Sequence, residues 1–248
     1  MNNLESINKM KEMKLYGMAR AMSSAVDMGL ADITPDEFVA HLVDAEYDDR
    51  HNRRLERLVK NAKFRYKASF EEIDFSVERN LSKNMFLRFS DCSFIRDRKN
   101  IIITGPTGSG KSFAASALGS QACIYGYRTL YFNLGKLFSQ LMLAKADGSY
   151  ISQMQKIEKS ELLVLDDFGL QNLDSASRLI FLEILEDRHG LASTVITSQL
   201  PLASWHEVVG DPTIADAICD RIINTSYRIE LKGDSLRKKY GKGDDMKK

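Results

Sequence analysis

The spacing of hydrophobic and polar positions changes period several times along the chain. Leu4, Ile7, Leu15, Met18, Met22, Ala25 and Val26 fall in one narrow sector at helical spacing and predict a single N-terminal helix with one apolar stripe. Met10, Met13 and Met28 add adaptable side chains, so the stripe suits either packing on neighbouring helices or docking of a partner. Gly29 to Asp32 read as a loop. Thr34, Pro35 and Glu37 then announce a second helix, reaching about Ala62. Thr34 can cap it, Pro35 suits its first position, and Glu37 can close a capping box. Further on, apolar runs appear at Ile101 to Ile103, Thr129 to Phe132, Glu161 to Leu165, Ser193 to Thr197 and Ser226 to Leu231. Helical spacing returns between them, at Phe113 to Leu118, Leu137 to Met142, Ile151 to Ile157, Asp174 to His189 and Asp216 to Ile223. Strands alternating with helices in this way predict an α/β domain with a parallel sheet. The stretch between the second and third strands carries two helical pieces, broken at Asp147-Gly148.

The chain has 248 residues, enough for one large domain with a small appendage, and a 44% hydrophobic fraction permits a substantial core. Its net charge of +1 means that any affinity for nucleic acid rests on local clustering. Cys92, Cys123 and Cys219 lie far apart and form no Cys-x-x-Cys, which argues against a disulfide framework or a zinc site. No apolar run is long enough to span a membrane and the N-terminus is polar, so a cytoplasmic protein is expected.

The first chemical motif is Gly105-Pro106-Thr107-Gly108-Ser109-Gly110-Lys111-Ser112, which fits the P-loop spacing G-x-x-x-x-G-K-[ST]. The glycines allow backbone angles and approaches that a Cβ would block. Successive amides can then turn inward around phosphate oxygens, aided by the positive end of the helix that follows. Lys111 is placed for the β- and γ-phosphates, and the Ser112 hydroxyl for Mg²⁺. Nucleotide contacts are therefore assigned to residues Gly105 through Phe113.

The second motif is the acidic strand end Leu162-Leu-Val-Leu-Asp166-Asp167. Ligands of open parallel sheets bind at the C-terminal ends of strands. Asp166 would hold Mg²⁺ opposite Ser112, and Asp167 could orient or deprotonate the attacking water. Thr197, Ser198 or Gln199, at the polar tip of the fourth strand, could sense the γ-phosphate or simply end the strand.

Charge patterning adds a third feature. Between Arg50 and Lys67 there are eight Lys or Arg residues and one Glu. Arg50, Arg53, Arg54 and Arg57 share one helix face with Lys60 at its edge, while Leu55, Leu58, Val59 and Ala62 lie opposite. One-sided basic charge is the footprint expected for DNA phosphates, although the preceding Asp44-Ala-Glu-Tyr-Asp-Asp49 stretch points to a mixed solvated face. Phe70 to Phe75 could cover a nucleotide base. Arg221, off the apolar stripe of its helix, suits either a surface ion pair or an arginine finger.

Taken together, Gly105 to Ser112, Leu162 to Gly169, Thr197-Ser-Gln-Leu-Pro201 with Trp205, Ala215-Asp-Ala-Ile-Cys-Asp-Arg221 and Gly233-Asp-Ser-Leu-Arg237 resemble the IstB-like ATP-binding helper proteins of bacterial insertion sequences. These are AAA+ ATPases close to the DnaC helicase loaders, and the resemblance covers nearly the whole chain. It implies an α/β P-loop fold of AAA+ type, with a five-stranded parallel sheet in three layers. The domains it implies are a helical domain over 1–69, an ATPase domain over 70–238 and a flexible basic tail over 239–248, with no full lid domain. It implies Walker A roles for Lys111 and Ser112, and Walker B roles for Asp166 and Asp167. Ser198 would be the first sensor, Arg221 an arginine finger acting on a neighbouring subunit, and Arg237 a nucleotide-sensing arginine. The helical pieces between strands two and three resemble the insertion of the initiator and loader branch.

The implied activity is ATP hydrolysis with Mg²⁺, stimulated by oligomerisation and by DNA. The implied setting is DNA transposition, with ATP-dependent assembly on duplex DNA through phosphate contacts, selection or deformation of the target, and recruitment of the partner transposase in a bacterial, nucleoid-associated location. Asp167 stands where Glu is usual, which keeps open slower hydrolysis or an ATP-gated DNA scaffold that does not hydrolyse. A helicase loader shares the same core. A small-molecule kinase would require an arginine-rich lid.

Overall fold

The computed structural model describes residues 3–29, 34–76, 79–233 and 235–236. Arg237 and the tail over 239–248 lie outside the described residues. The chain forms two compact units, Met1–Arg57 and Leu58–Lys248. The division falls ahead of the expected boundary at residue 69, because Ala68 and Phe70 belong to the second unit's core.

The first unit contains helices α1 (Asn3–Glu12) and α2 (Tyr16–Met28) and most of α3 (Pro35–Ala62). The single N-terminal helix expected from the apolar stripe is in fact two. Lys14, at φ 61°, turns the chain between them, and the buried positions are Ile7 on α1 and Gly17 and Ala19 on α2. Gly17 lets α2 cross α3 closely, since a Cβ there would come within 2.2 Å of the Ala45 carbonyl. The buried Glu46 carboxylate accepts from the Gly17 amide at 2.8 Å and the Met18 amide at 3.3 Å, supplying acceptors at a helix start that has no side-chain cap. The expected capping box is present: the Thr34 amide donates to the Glu37 carboxylate at 3.0 Å, and the Glu37 amide donates to the Thr34 hydroxyl at 3.4 Å.

In the second unit the short helices α4 (Lys83–Leu87) and α5 (Ser93–Arg96) precede strand β1 (Asn100–Thr104). Then come α6 (Lys111–Ile124), β2 (Thr129–Asn133), α7 (Leu134–Asp147), α8 (Tyr150–Glu158), β3 (Leu162–Phe168), α9 (Ser175–Arg188) and β4 (Ser193–Ser198). Helices α10 (Trp205–Val209) and α11 (Pro212–Ile223) lead to β5 (Ser226–Glu230). The five strands form one sheet in the order β2-β3-β4-β1-β5, and every pairing is parallel.

Strand alternation sends successive residues to opposite faces, so the sheet has a core on each side. Ile102, Leu163, Leu165 and Ile196 face a cluster with side chains from α7, α8, α9, α10 and α11. Ile101, Ile103, Leu162, Val164 and Val195 face a second cluster with α4, α5 and α6. The result is three layers. Phe70 and Phe75 pack on Phe86 with ring centroids 4.7 and 6.2 Å away, Phe70 within this second core and Phe75 partly buried against it.

Two local features shape the sheet's functional end. The β3–β4 register shifts between Leu165 and Phe168, and Asp167 lies within that irregularity at φ 66°. Asp tolerates the left-handed region better than most residues. Just beyond, the buried Trp205 packs on Phe168 with ring centroids 4.4 Å apart.

Candidate nucleotide site

The sheet order sets the C-terminal tips of β1, β4 and β3 side by side, and the two chemical motifs meet there. The loop after β1 is shaped by its glycines. Gly105 has φ 146°, and a Cβ on it would lie 2.4 Å from the Leu231 carbonyl. Gly108 has φ 82°, and a Cβ there would lie 2.0 Å from the Ser235 hydroxyl. Leu236, from the last motif, donates its amide to the Gly108 carbonyl at 2.9 Å. Leu236 is therefore fastened to the loop.

Lys111 opens α6 and is buried, with its ammonium donating to the Gly105 and Pro106 carbonyls at 2.7 and 2.8 Å. A phosphate among these groups would meet a cation already held inside the loop. The Ser109 hydroxyl is buried without a partner among the described residues, which fits a loop built to take further polar contacts. Arg79, which no motif pointed to, braces the loop from outside by donating to the Ser109 carbonyl at 3.1 Å and the Asp74 carbonyl at 2.8 Å.

Asp166 is completely buried, a position that a carboxylate occupies only with strong partners. The Ser112 hydroxyl donates to its Oδ1 at 2.8 Å and Thr197 donates to the same oxygen at 2.5 Å. The Tyr131 hydroxyl donates to Oδ2. Burial first, and the Asp166 charge second, push the Tyr131 phenol well above its usual range, so it stays a donor. Asp167 accepts on Oδ2 from the Asn133 amide at 3.0 Å. Arg65 reaches both carboxylates, with Nη1 at 3.2 Å from Asp166 and 3.0 Å from Asp167. Burial works against the charge on Arg65, but Tyr66 and the two carboxylates outweigh it and raise the group above its ordinary value.

Ser112 and Asp166 form an oxygen-only pair, the chemistry that a hard cation such as Mg²⁺ prefers. Among the described residues there is no cluster of three or more His, Cys, Asp or Glu that could hold a metal by itself.

Other expected site residues are placed differently. Ser198 spends its hydroxyl within the chain, donating to the Phe168 carbonyl at 2.9 Å and accepting from the Leu200 amide at 3.0 Å. Thr197 faces the acidic pair instead: besides contacting Asp166, it accepts from the Asp167 amide at 3.0 Å. The irregularity in β3 explains the difference, because it shifts which β4 residue lies opposite the carboxylates. Gln199 ties the strand tip to the loop by accepting from the Thr107 hydroxyl at 2.6 Å. Arg221 is half-buried and pairs with Glu186 at 2.6 Å, while also donating to the Ala217 carbonyl at 3.0 Å. On α3, Arg50 pairs with Glu46 at 2.7 Å and Arg53 with Asp49, so part of the basic face is neutralised within its own unit. Arg54, Arg57 and Lys60 are exposed.

Sequence reasoning named neither Tyr131 nor Arg65 as a site residue. Tyr131 read as one more strand aromatic. Arg65 lies 101 positions from Asp166, and nothing local links the two.

Comparison with known proteins bears on the same residues. The family model described as "IstB-like ATP binding protein" matches residues 8–243. A putative insertion sequence ATP-binding protein of Sinorhizobium fredii is 40% identical over 234 residues, covering 94% of this chain and 96% of the relative. A putative insertion sequence ATP-binding protein of Pseudomonas fluorescens is 39% identical over 198 residues, covering 79% and 86%. Among solved structures, the DnaC helicase loader aligns with TM-score 0.55 at 20% identity, covering 67% of this chain and 98% of that one. AMPPCP-bound DnaA from Aquifex aeolicus aligns with TM-score 0.58 at 18% identity, covering 73% and 56%. At such identities the two structures speak to the fold alone, which is an α/β P-loop fold of the AAA+ type.

Proposed function

Because the chain belongs to the IstB-like ATP-binding protein family, we propose that it hydrolyses ATP and, in doing so, assembles on DNA to serve its insertion sequence's transposase. The observation that carries this reading is the meeting of Ser112 with Asp166 at 2.8 Å, with Asp167 beside them at the tips of adjacent strands. Lys111 holds the β- and γ-phosphates inside the loop. Ser112 and Asp166 hold Mg²⁺, which offsets charge on the phosphate oxygens when bound. Asp167, steadied by Asn133, orients the attacking water or accepts its proton. Thr197 keeps both carboxylates in register.

Arg221 acts on the nucleotide of a neighbouring subunit, which makes hydrolysis depend on assembly. To do so it must leave Glu186. DNA is held mainly through phosphates, by Arg54, Arg57 and Lys60 with smaller help from Arg50 and Arg53, so binding is sequence-tolerant and weakens with salt. The relatives are insertion sequence ATP-binding proteins by name, and the transposase partner is proposed on that ground.

ATP turnover and sedimentation, each with and without duplex DNA, test the proposal. ATP-dependent assembly and DNA-stimulated turnover are expected, and Lys111→Ala should remove nucleotide binding. A monomer indifferent to DNA would overturn the reading. Assembly without turnover would instead favour the scaffold, for which the short side chain of Asp167 speaks. Capture of a replicative helicase in place of a transposase would move the protein to helicase loading.

A further inference from the structure

Arg65 belongs to no motif, yet it is the residue that touches both catalytic carboxylates. Its position is built with care. The chain leaves α3 through Lys63, whose φ of 57° turns it toward α6. Phe64 then packs edge-on against Tyr131, ring centroids 6.2 Å apart, and against Gly119, where a Cβ would come within 2.3 Å of the ring. Tyr66 packs on Phe113 in the first turn of α6, at 6.1 Å. Two aromatic anchors thus fix the backbone on both sides of Arg65. The freedom that remains is in its own side chain, which is 41% exposed while Asp166 is fully buried. Arg65 lines a cleft of about 580 Å³ together with Lys63, Asn133, Lys136 and Asp167.

We propose that Arg65 is a terminal-phosphate sensor supplied from the segment before the core. It bridges Asp166 and Asp167, and it passes to the terminal phosphate of a nucleoside triphosphate when a divalent cation takes Asp166. This inference rests on the nucleotide-site reading above. The argument is one of charge and shape. A dication on Asp166 cancels the pull of that buried carboxylate and leaves the guanidinium with Asp167 as its one acidic partner of the two. The anion that arrives with that dication is the triphosphate. A planar fork of N–H donors pairs with a phosphate as well as with a carboxylate, and an ammonium does so less well. A diphosphate lacks the group that would receive the fork, so Arg65 distinguishes ATP from ADP. Its departure leaves Asp167 held by Asn133 alone of these two donors, with the carboxylate turned to water.

The test is binding, not turnover. Fluorescent ATP and ADP analogues are titrated onto wild type, Arg65→Ala, Arg65→Gln and Lys111→Ala across a range of Mg²⁺ concentrations. In wild type ATP is preferred over ADP. In Arg65→Ala this preference should shrink about tenfold, the worth of one charge-assisted pair. ADP affinity should hold, and the Mg²⁺ midpoint should fall because no guanidinium competes for Asp166. Arg65→Gln, which keeps bulk and loses charge, carries the same expectation should the alanine variant fail to fold. An unchanged ATP-to-ADP ratio in the folded variants overturns the sensor while leaving the site reading intact. Wild type that binds neither nucleotide, or Lys111→Ala that binds both as well as wild type, overturns the site reading itself.

Discussion

The arginines of α3 and those of the second unit are put to opposite uses. Arg50 and Arg53 pair with Glu46 and Asp49 one turn earlier on the same helix, with the arginine side chains 61% and 44% exposed. The acids in these pairs are the shielded partners, at 6% and 9% exposed, and each keeps other donors: the Gly17 and Met18 amides for Glu46 and Arg20 for Asp49. Arg188, by contrast, is 2% exposed and donates to the Ile157, Ser160 and Ser193 carbonyls and to the Ser160 and Thr194 hydroxyls. It joins the end of α8 to the start of β4 without any carboxylate partner in that set. Arg65 and Arg221 stand between these extremes, each partly exposed and each paired with acidic groups that a nucleotide or a neighbouring subunit could replace. The lesson is that an arginine's role follows from what would be left unpaired without it, and helical spacing alone does not reveal that.

The sharpest break of the comparison is at Arg221. Arg221→Ala should spare ATP binding and lower turnover in the assembled protein by about a thousandfold, the usual worth of an arginine finger. Unchanged turnover would return Arg221 to the surface class with Arg50. Next, Arg188→Ala strands several buried carbonyls and should cost about 3 kcal/mol in urea denaturation. A loss as small as that of a surface pair would show that the five donor contacts do not act as described.

A pH series extends the comparison to other buried groups. Burial pushes the thiols of Cys92 and Cys123 up, to about 12 and about 11. The unfolded chain then releases these protons at lower pH than the folded one. Their contribution is complete below the ordinary thiol range and is lost as pH rises toward the folded values, by about 1 kcal/mol per pH unit for each thiol. Comparing alkaline denaturation of wild type with Cys92→Ala and Cys123→Ala isolates this slope, and the native thiols should resist alkylation at neutral pH. The smallest effect belongs to Arg50→Ala with Arg53→Ala, which leaves Glu46 its two amide donors and Asp49 its Arg20 partner and should shift the urea midpoint less than Arg188→Ala does. Their DNA affinity should fall modestly and the salt slope should flatten. A large loss of binding would restore the whole α3 face as the main DNA contact.

Much of the second unit was readable from local signals. The unbroken apolar runs at Ile101 to Ile103 and Leu162 to Leu165 marked strands buried on both faces, and the glycine spacing after β1 marked the loop. The capping box at Thr34 was readable because its partners lie three positions apart. The break near Lys14 escaped notice because apolar spacing continues across it. The pairing of Glu46 with Arg50 and of Asp49 with Arg53 was present as four-residue spacing, and the acidic stretch from Asp44 to Asp49 pointed to it. Thr197 was indistinguishable from Ser198 until the irregularity at Asp167 set the register. The meeting of Arg65 with Asp166 depends on how α3's end lies against α6, and no local window contains it.

The contact between Trp205 and Phe168 has an optical consequence. The chain holds one tryptophan, in apolar surroundings, against the residue that follows Asp167. Indole emission therefore comes from a single place, next to the acidic strand end. Any rearrangement of that strand as nucleotide arrives alters the colour or quenching of one lamp, so ligand entry can be followed in real time without attaching a dye.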